Sequence, residues 1–302
     1  LSRVLPGLYR ESGSQRLAPF FRVLRETLMG LAPGGVADPT VAVLTPGPLN
    51  ESYYEHVLLS RRLGFPLVEA CDIEVRDGRV CLRGGRGGAV DVLLRRVDAW
   101  YCDPLVFNPT SRLGVPGLVD VARRGRVAVA NGFGAGLLEN PGLQPYLPAA
   151  CRALLDEDLL LPAPPTWWCG DPAGLAYVLD HLDELVIAPV TPRANRAAVV
   201  AADLDAAGRD ELRRRVEANP CGYVGRVRTT FSTVPCLDDG RLTARHVALR
   251  SFAVATGDDY QVLPGGLARV ATVADDLHLS AQHGWSSKDT WIVTGEDEPS
   301  SA

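Results

Sequence analysis

The sequence predicts an α/β protein whose second half is an α+β lobe. Short apolar runs alternate with helix-like stretches through roughly the first 140 residues, which is typical of a parallel or mixed sheet. A proline-rich joint at 161–165 interrupts this alternation. Beyond it, strand-like runs separated by hairpin turns indicate antiparallel pairing. We therefore expect an α/β lobe with an N-terminal helix over residues 1–160 and an α+β lobe over 161–302.

The elements of the first lobe follow from local patterns. An apolar stripe predicts a helix over 19–29, and Pro19 suits its first turn. The run 41–44 predicts a buried strand, and Asn50 is expected to cap a helix that ends before Gly64. Further elements are expected as strands at 67–69, 90–97 and 126–130, and as a hairpin at 72–82 around Asp77-Gly78.

The second lobe is predicted to be mainly antiparallel. A polar, arginine-rich stretch predicts a solvated helix over 205–218. Gly257-Asp258 indicates the turn of a hairpin with arms 246–255 and 260–263. The remaining strands are expected at 184–190, 223–228 and 267–273.

Composition excludes several classes of function. The net charge of −5 argues against a general nucleic-acid surface. No apolar run reaches the roughly 18 residues of a membrane span. Seven cysteines without a CxxC pair favour a reducing, cytoplasmic compartment over disulfides or a zinc site. The start at Leu1 without methionine leads us to expect a piece of a longer protein, and the sequence leaves its oligomeric state open.

Two cations stand out. The chain has thirty arginines and a single lysine, Lys288, which is either a specific ligand or a leftover surface residue. Arg250 lies within the run 247–252 and is expected to be buried in a cleft, where it needs a protein carboxylate or a ligand phosphate. We expect Lys288 to line the same cleft.

Strand ends and glycine-rich loops give weaker signals. Arg95 and Arg96 end a predicted strand, where α/β sheets collect ligands, but only one of them can face a cleft. The loop 131–136 follows a strand and could bring backbone N–H groups to a phosphate, as could 264–269. Tight turns are the alternative explanation for both. Glu55-His56 is expected to have a solvated or capping role.

Several motifs occur together in an order that resembles a known family. The chain resembles the circularly permuted type 2 ATP-grasp proteins, related to glutathionylspermidine synthase, over nearly its whole length. The motifs that carry this resemblance are Leu44–Gly47 with Tyr54–His56, Arg95–Asp98 with Asp103–Leu105, Leu113–Leu118, Ser232–Pro235, Leu249–Phe252, Pro264–Ala271 and Ser287–Trp291.

The resemblance implies an ATP-dependent carboxylate–amine ligase that uses Mg²⁺ and takes a small-molecule acid and an amine. It implies a pre-ATP-grasp α/β lobe at about residues 40–140, followed by part of an ATP-grasp lobe. The expected catalytic cations are Arg250 and Lys288. The residues expected to bind the nucleotide are Arg95, Asn131, Ser232, Thr233, Arg269 and Asp289.

The chain also departs from the family pattern. Ala188 stands where a phosphate-facing lysine is expected, the following glycines are missing, and Arg193 or Arg196 could substitute only if the loop refolds. Gly225-Arg226 replaces a hinge glutamine, and the family's metal ligands fall outside this chain, so no metal ligand is named. The leading hypothesis is a ligase-class fold with a degraded nucleotide site. The alternatives are a ligase that is active at full length and a non-catalytic binding or scaffold module.

Overall fold

The computed structural model describes residues 4–84, 88–191, 198–272 and 286–293. The chain divides into two compact units. Unit 1 combines residues 1–134 with 231–302, and unit 2 comprises residues 135–230. The sequence predicts a boundary between two ATP-grasp-type lobes at residues 160 and 161. This boundary remains a prediction, because the two compact units do not by themselves identify such lobes.

Unit 1 contains four helices and most of the strands within the described ranges. Its helices are α1 (Pro6–Glu11), α2 (Ala18–Gly30), α3 (Tyr53–Leu63) and α4 (Leu118–Arg123). Its strands before unit 2 are β1 (Val41–Leu44), β2 (Leu67–Val68), β3 (Ile73–Arg76), β4 (Arg79–Leu82), β5 (Ala89–Val90), β6 (Val92–Arg95) and β7 (Ala128–Ala130).

Unit 2 contributes α5 (Leu147–Leu155), α6 (Pro172–Asp180) and α7 (Ala206–Ala218), with β8 (Thr166–Trp168), β9 (Leu185–Pro189), β10 (Val199–Val200) and β11 (Tyr223–Val227). The strands of unit 1 that follow are β12 (Thr233–Asp238), β13 (Arg241–Arg250), β14 (Ala253–Thr256), β15 (Asp259–Val262), β16 (Gly265–Val270) and β17 (Ser286–Trp291). Together these elements confirm the predicted α/β fold with an α+β part. No helix in the described ranges has the length and apolar character needed to cross a bilayer.

A parallel sheet forms the centre of the first part of unit 1. Its strand order is β2-β1-β6-β7, and all neighbours run parallel. Alternate residues of β1 point to opposite sides: Ala42 and Leu44 join the core that contains Leu118, whereas Val41 and Val43 join the core that contains Leu28 and Leu63. The prediction that residues 41–44, 67–69 and 90–97 share one sheet is confirmed for its strands β1, β2 and β6.

The predicted strand 90–97 is in fact two strands. β5 pairs with β4 of the hairpin sheet, whereas β6 pairs with β1. Asp91 separates them, and its carboxylate accepts a hydrogen bond from the Thr40 amide at 2.9 Å. The hairpin β3–β4 is confirmed, with Asp77 and Gly78 at φ +52° and +70°, as a type I′ turn requires.

The helix predictions are confirmed with one correction. Gly64 ends α3 in the left-handed conformation, with φ +69°. Ser52, rather than Asn50, occupies the N-cap position of α3, and the Asn50 side chain instead accepts from the Ser52 amide at 3.0 Å. Asp205 caps α7 as its position suggests, by accepting from the Gly208 amide at 2.8 Å.

The last part of unit 1 is an antiparallel sheet with the order β12-β13-β16-β17. The predicted single arm 246–255 is wrong, because β13 ends at Arg250 and the chain then enters the separate β14–β15 hairpin. That hairpin packs near α2, where the Thr27 hydroxyl donates to the Ala255 carbonyl at 3.3 Å. The predicted turn at Gly257 is confirmed, with φ +67°.

Unit 2 is built on an antiparallel sheet with the order β10-β9-β11-β8. One face of this sheet forms a core with α6 and α7. Its buried members are Cys169, Val178, Leu182, Leu185, Ile187, Ala201, Leu212, Val216 and Tyr223.

Candidate functional site

The carboxyl edge of the parallel sheet is the first place where polar side chains gather. β1 leads through α3 to β2 on one side, and β6 leads through α4 to β7 on the other. The strand order therefore reverses between β1 and β6, and the loops that leave these strands diverge, which is where open α/β sheets bind ligands. Thr45 and Gly47 follow β1, and Arg96 follows β6.

A buried histidine lies beneath this edge. His56 is only 2% exposed, and its Nδ1 lies 2.9 Å from the hydroxyl of the buried Thr45, which in turn accepts from the Gly47 amide at 3.2 Å. Burial lowers the pKa of His56, and the charge of Arg96 lowers it further against the opposing effect of Glu55. His56 is therefore a neutral, hydrogen-bonded part of the edge.

The expectation of a solvated or capping role for Glu55-His56 is thus wrong for His56. A signal was present in the sequence, because His56 precedes Leu63 by seven residues and so shares the buried stripe of α3.

The two arginines at the end of β6 have different surroundings. Arg95 Nε donates to the Asn131 carbonyl at 3.1 Å, Nη1 to the Val97 carbonyl at 2.6 Å and Nη2 to the Gly132 carbonyl at 3.4 Å. Its guanidinium also lies 5.9 Å from the centre of the Phe133 ring. The structure thus brings the predicted residues Arg95 and Asn131 together, but as an arginine that fastens the main chain of a loop. Asn131 itself is exposed.

Arg96 is the cation that this edge leaves available. Its amide donates to the Leu44 carbonyl at 2.8 Å, but its side chain has no hydrogen bond or ion pair within the part of the chain that the structure describes, and the residue is exposed. Partial burial nevertheless lowers its pKa; Glu55 raises it, and Arg250 and Arg95 lower it. Of the pair, the Arg95 side chain is held by the loop carbonyls, and which of the two arginines faces a ligand stays a prediction.

The register of the antiparallel sheet gathers several predicted residues on one face. Arg250 is opposite Leu267, which is opposite Asp289, and Ala248 is opposite Arg269. Since residues directly opposite each other share a face, and so do residues two apart in a strand, Arg250, Arg269 and Asp289 lie on the same face. A shallow depression of about 300 Å³ is lined by Ala248, Leu249, Arg250 and Arg269.

Thr233 joins this face through its pairing with His246, four residues before Arg250. Thr233 and Ser232 are both exposed, and the Ser232 carbonyl accepts from the Val247 amide at 2.9 Å.

Lys288 lies on the opposite face, so the prediction that it shares a cleft with Arg250 is wrong. It pairs with Ala268 and, through it, with Leu249, a neighbour of Arg250 in the strand. Its ammonium donates to the Pro235 carbonyl. Adjacent residues alternate in direction, and the alternation places Asp289 rather than Lys288 on the face of Arg250, with Leu267 between them. The expected catalytic role of Lys288 beside Arg250 therefore has no geometric basis in this register.

The expectation that Arg250 is buried is also wrong. Arg250 is exposed, and its guanidinium lies 5.4 Å from the centre of the Phe252 ring. The apolar run that suggested burial is itself open to solvent, with Leu249 60% and Phe252 40% exposed. An apolar strand at an open sheet face resembles a buried one in sequence, which explains the error.

One functional-looking motif has a structural role that the sequence did not reveal. Asp103 is fully buried, and its carboxylate accepts from the amides of Leu105, Gly117 and Val119 at 3.0, 3.2 and 2.9 Å. It therefore caps α4 from a distance in sequence. Gly114, in the motif Leu113–Leu118, could not carry a side chain, because its Cβ would lie 2.2 Å from the Tyr101 carbonyl oxygen.

In unit 2, Ala188 lies on a buried apolar face. It is 7% exposed and is opposite Val224, which is opposite Trp168. A 3₁₀ helix, Pro141–Tyr146, packs against this face: a Cβ on Gly142 would lie 3.6 Å from Trp168 and 3.8 Å from Val190. Arg193 and Arg196, the possible substitutes for the missing lysine, lie outside the described residues.

Residues 1–271 match the profile of the family described as circularly permuted ATP-grasp type 2. The chain belongs to the circularly permuted ATP-grasp type 2 family. Its curated relatives include an uncharacterised protein of Synechocystis sp., 37% identical over 299 residues, and one of Mycobacterium tuberculosis, 40% identical over 293 residues. These matches cover 99% and 97% of the chain but only 62% and 33% of the two relatives, so this ATP-grasp chain spans part of their length.

Two solved structures show a weaker likeness. The ATP-grasp ligase PsnB, complexed with a minimal precursor, gives a TM-score of 0.38 at 16% identity, covering 83% of this chain and 89% of that one. A putative gamma-glutamylcysteine synthetase from Methylobacillus flagellatus gives a TM-score of 0.45 at 11% identity, covering 91% and 72%. Scores this low carry no functional argument for the ATP-grasp chain.

Proposed function

We propose that this chain is part of a protein of the ATP-dependent carboxylate–amine ligase class, and that its own nucleotide site is degraded. Family membership supports the ligase class. The degraded site is inferred from the environment of Ala188, because the family resemblance leads us to expect a phosphate-binding lysine at this position. Ala188 lies on an apolar, covered face of β9.

The chemistry of the class explains why this position matters. Transfer of a phosphoryl group from ATP requires cations that hold the phosphates and neutralise charge as it develops. A charge-assisted contact of this kind contributes roughly 1.5–3 kcal/mol. Among the residues opposite Ala188, Val224 and Trp168 offer no positive charge.

The residues present fit the phosphates of ATP only in part. Arg269 and Asp289, with Arg250, lie on one open face, and Thr233 and Ser232 lie at the start of β12. We retain these five as proposed nucleotide ligands and assign no catalytic role to Lys288. The described residues contain no group of three side chains that could hold a metal ion, so no magnesium-dependent step is derived for this chain.

The proposed substrates of the whole protein are a small-molecule acid and an amine, by kinship with glutathionylspermidine synthase-like ligases. That kinship rests on the ordered motifs rather than on any single residue. The seven cysteines are all free thiols, which agrees with the proposed cytoplasmic location.

The test is calorimetric titration of the 302-residue chain with ATP and Mg²⁺, together with an ADP-release assay over a panel of amino acids and polyamines. We expect no ADP release above a blank. Binding of ATP without turnover would favour the degraded site or a non-catalytic binding module. Sustained ADP release that needs both an acid and an amine, and that Arg269→Gln abolishes, would contradict the proposal.

A further inference from the structure

We infer that residues 137–161 of unit 2, the α5 segment, form the interface of a two-fold symmetric dimer with a second copy of this chain. In this dimer the two α5 helices pack side by side and run in opposite directions. The inference goes beyond the proposed function, because it needs neither a nucleotide nor any residue proposed to bind one.

The α5 segment has regular structure but no core of its own. Within the described range 88–191, none of the residues from 131 to 165 is buried, although they include two 3₁₀ helices and α5. α5 packs mainly against the 3₁₀ helix that directly precedes it. Short helices are stabilised in proteins by the packing of an apolar face rather than by propensity alone. The segment therefore lacks the surface that would cover it.

The exposed side of the segment is strongly apolar. Leu154 lies seven residues after Leu147 and three after Cys151, which is the spacing of one helix face. Leu154 is 82% exposed, and Leu160 just beyond the helix is 93% exposed. The large apolar residues that the segment exposes are Leu137, Leu138, Tyr146, Leu147, Leu154, Leu155, Leu160 and Leu161. Such a concentration of exposed apolar side chains marks a protein–protein interface.

The charges of the segment favour a second copy as the partner. The first turn of α5 contains no acidic residue, and its N-cap Tyr146 makes no side-chain hydrogen bond. The helix is followed directly by Asp156, Glu157 and Asp158. Of these, Asp158 pairs with Arg152 at 2.6 Å, and the other two carboxylates have no ion pair among the described residues. Antiparallel packing brings the acidic end of each copy to the positive end of the other helix, so the segment complements itself.

The size of the segment also fits a dimer. Residues 137–161 number 25. An interface of standard size uses about 20–30 residues of each partner. A two-fold pair of α5 segments therefore reaches that size without any contribution from the rest of the chain.

The two-fold axis is expected to pass close to Cys151. α5 runs from Leu147 to Leu155, so Cys151 is its central residue, and its thiol is free and partly exposed in the single chain. A residue on the axis of a two-fold interface meets its own counterpart. The alanines at 149, 150 and 153 are the other small side chains of the helix, and small side chains let two helix axes approach to about 8 Å.

The first test is analytical ultracentrifugation of the full 302-residue chain at about 50 μM, above the micromolar dissociation constants at the weak end of interfaces of this size. We expect a species with twice the mass of one chain. The double variant Leu154→Glu/Leu155→Glu should raise the dissociation constant at least about a hundredfold, because it buries unpaired carboxylates in the interface. Leu237→Glu, at an exposed leucine of β12, is the matched control and should change it less than about threefold. Circular dichroism should show the wild-type fold in both variants, since these leucines are exposed in the single chain.

The second test is crosslinking with diamide, which oxidises two facing thiols to a disulfide and is itself reduced. A disulfide between two copies requires Cα atoms within about 7 Å, which the axis near Cys151 provides. We expect a covalent dimer that Cys151→Ser abolishes. The controls Cys71→Ser and Cys221→Ser, at the two exposed cysteines, should leave it unchanged.

Three results would overturn the inference. A monomer at that concentration would mean that a different partner covers the segment. A dimer that is equally stable in the wild type and in Leu154→Glu/Leu155→Glu would place the interface elsewhere on the chain. A dimer that forms no Cys151-dependent crosslink would contradict the antiparallel two-fold arrangement. The proposed function would stand in each case, because the ATP titration and the ADP assay do not depend on dimer formation.

Discussion

Replacing Asp103 with alanine removes an acceptor on which three backbone amides depend. The carboxylate is fully buried and joins Leu105, Gly117 and Val119, which lie up to 16 residues away. An amide left without a partner in a buried place costs about 1–3 kcal/mol. Since water can reach some of the exposed amides after the change, we expect D103A to lose about 3–5 kcal/mol rather than the full sum.

A second variant grades the effect. In Asp103→Asn, the remaining carbonyl oxygen can keep the two bonds that Oδ1 accepts, from Leu105 and Gly117, while the amide nitrogen faces the Val119 N–H. One bond is lost, so D103N should cost about 1–3 kcal/mol. The control is Asp120→Ala, whose carboxylate is exposed and pairs with Arg124 at 2.9 Å; it should cost less than about 1 kcal/mol.

Hydrogen–deuterium exchange of peptides spanning residues 99–123 is the suitable assay, because it reports this part of unit 1 alone. The expected loss in D103A corresponds to roughly 10²- to 10⁴-fold faster exchange where opening of this segment limits it. The reasoning is refuted if D103A exchanges no faster than D120A, or if D103N is as damaged as D103A.

Three further predictions concern other described residues. The pKa of His56 in the folded protein lies below the unfolded value of about 6.5, so the free energy of unfolding should be highest above about pH 6.5 and decrease below it. The decrease in thermal midpoint from about pH 7.5 to about pH 5.5 should therefore be smaller in His56→Gln than in the wild type, and an equal decrease would contradict this. In urea unfolding, Ala188→Lys should lower the free energy of unfolding by about 2–4 kcal/mol, because it places a charge on a covered apolar face. The control Ala150→Lys, on the exposed side of α5, should change it by less than about 0.5 kcal/mol. Arg95→Ala should speed amide exchange in residues 131–133, which its guanidinium fastens, and Arg124→Ala should not; equal exchange in both variants would remove that role.

The sheet of unit 1 could be predicted because each buried strand is a continuous apolar run. The four residues of β1 are all buried, as expected of a parallel strand covered on both faces. The division of 90–97 at Asp91 could not be predicted, since it depends on the Thr40 amide, fifty-one residues earlier in the chain. A contact between residues so far apart in the chain cannot be recognised from the local pattern of apolar and polar residues.

The sequence predicted which types of residue gather at the candidate site, but it did not predict how they are arranged. The alternation of a strand requires Lys288 and Asp289 to face opposite ways, but only the pairing register determines which of them shares the face of Arg250. Whether Arg95 or Arg96 faces a ligand likewise depends on the path of the loop at 131–133, whose carbonyls engage Arg95. Both decisions rest on tertiary contacts.

Unit 1 is discontinuous in the chain, and this has a consequence for its synthesis. The Tyr9 and Trp291 rings lie 5.7 Å apart, and the Gln15 amide donates to the Ile292 carbonyl at 2.9 Å. A ribosome releases residues 135–230 well before it reaches Trp291, so unit 2 can finish folding while the first helices of unit 1 still lack their final strand. During that interval Tyr9 and Gln15 lack the partners that Trp291 and Ile292 later provide, and a pause of translation before residue 286 would lengthen it.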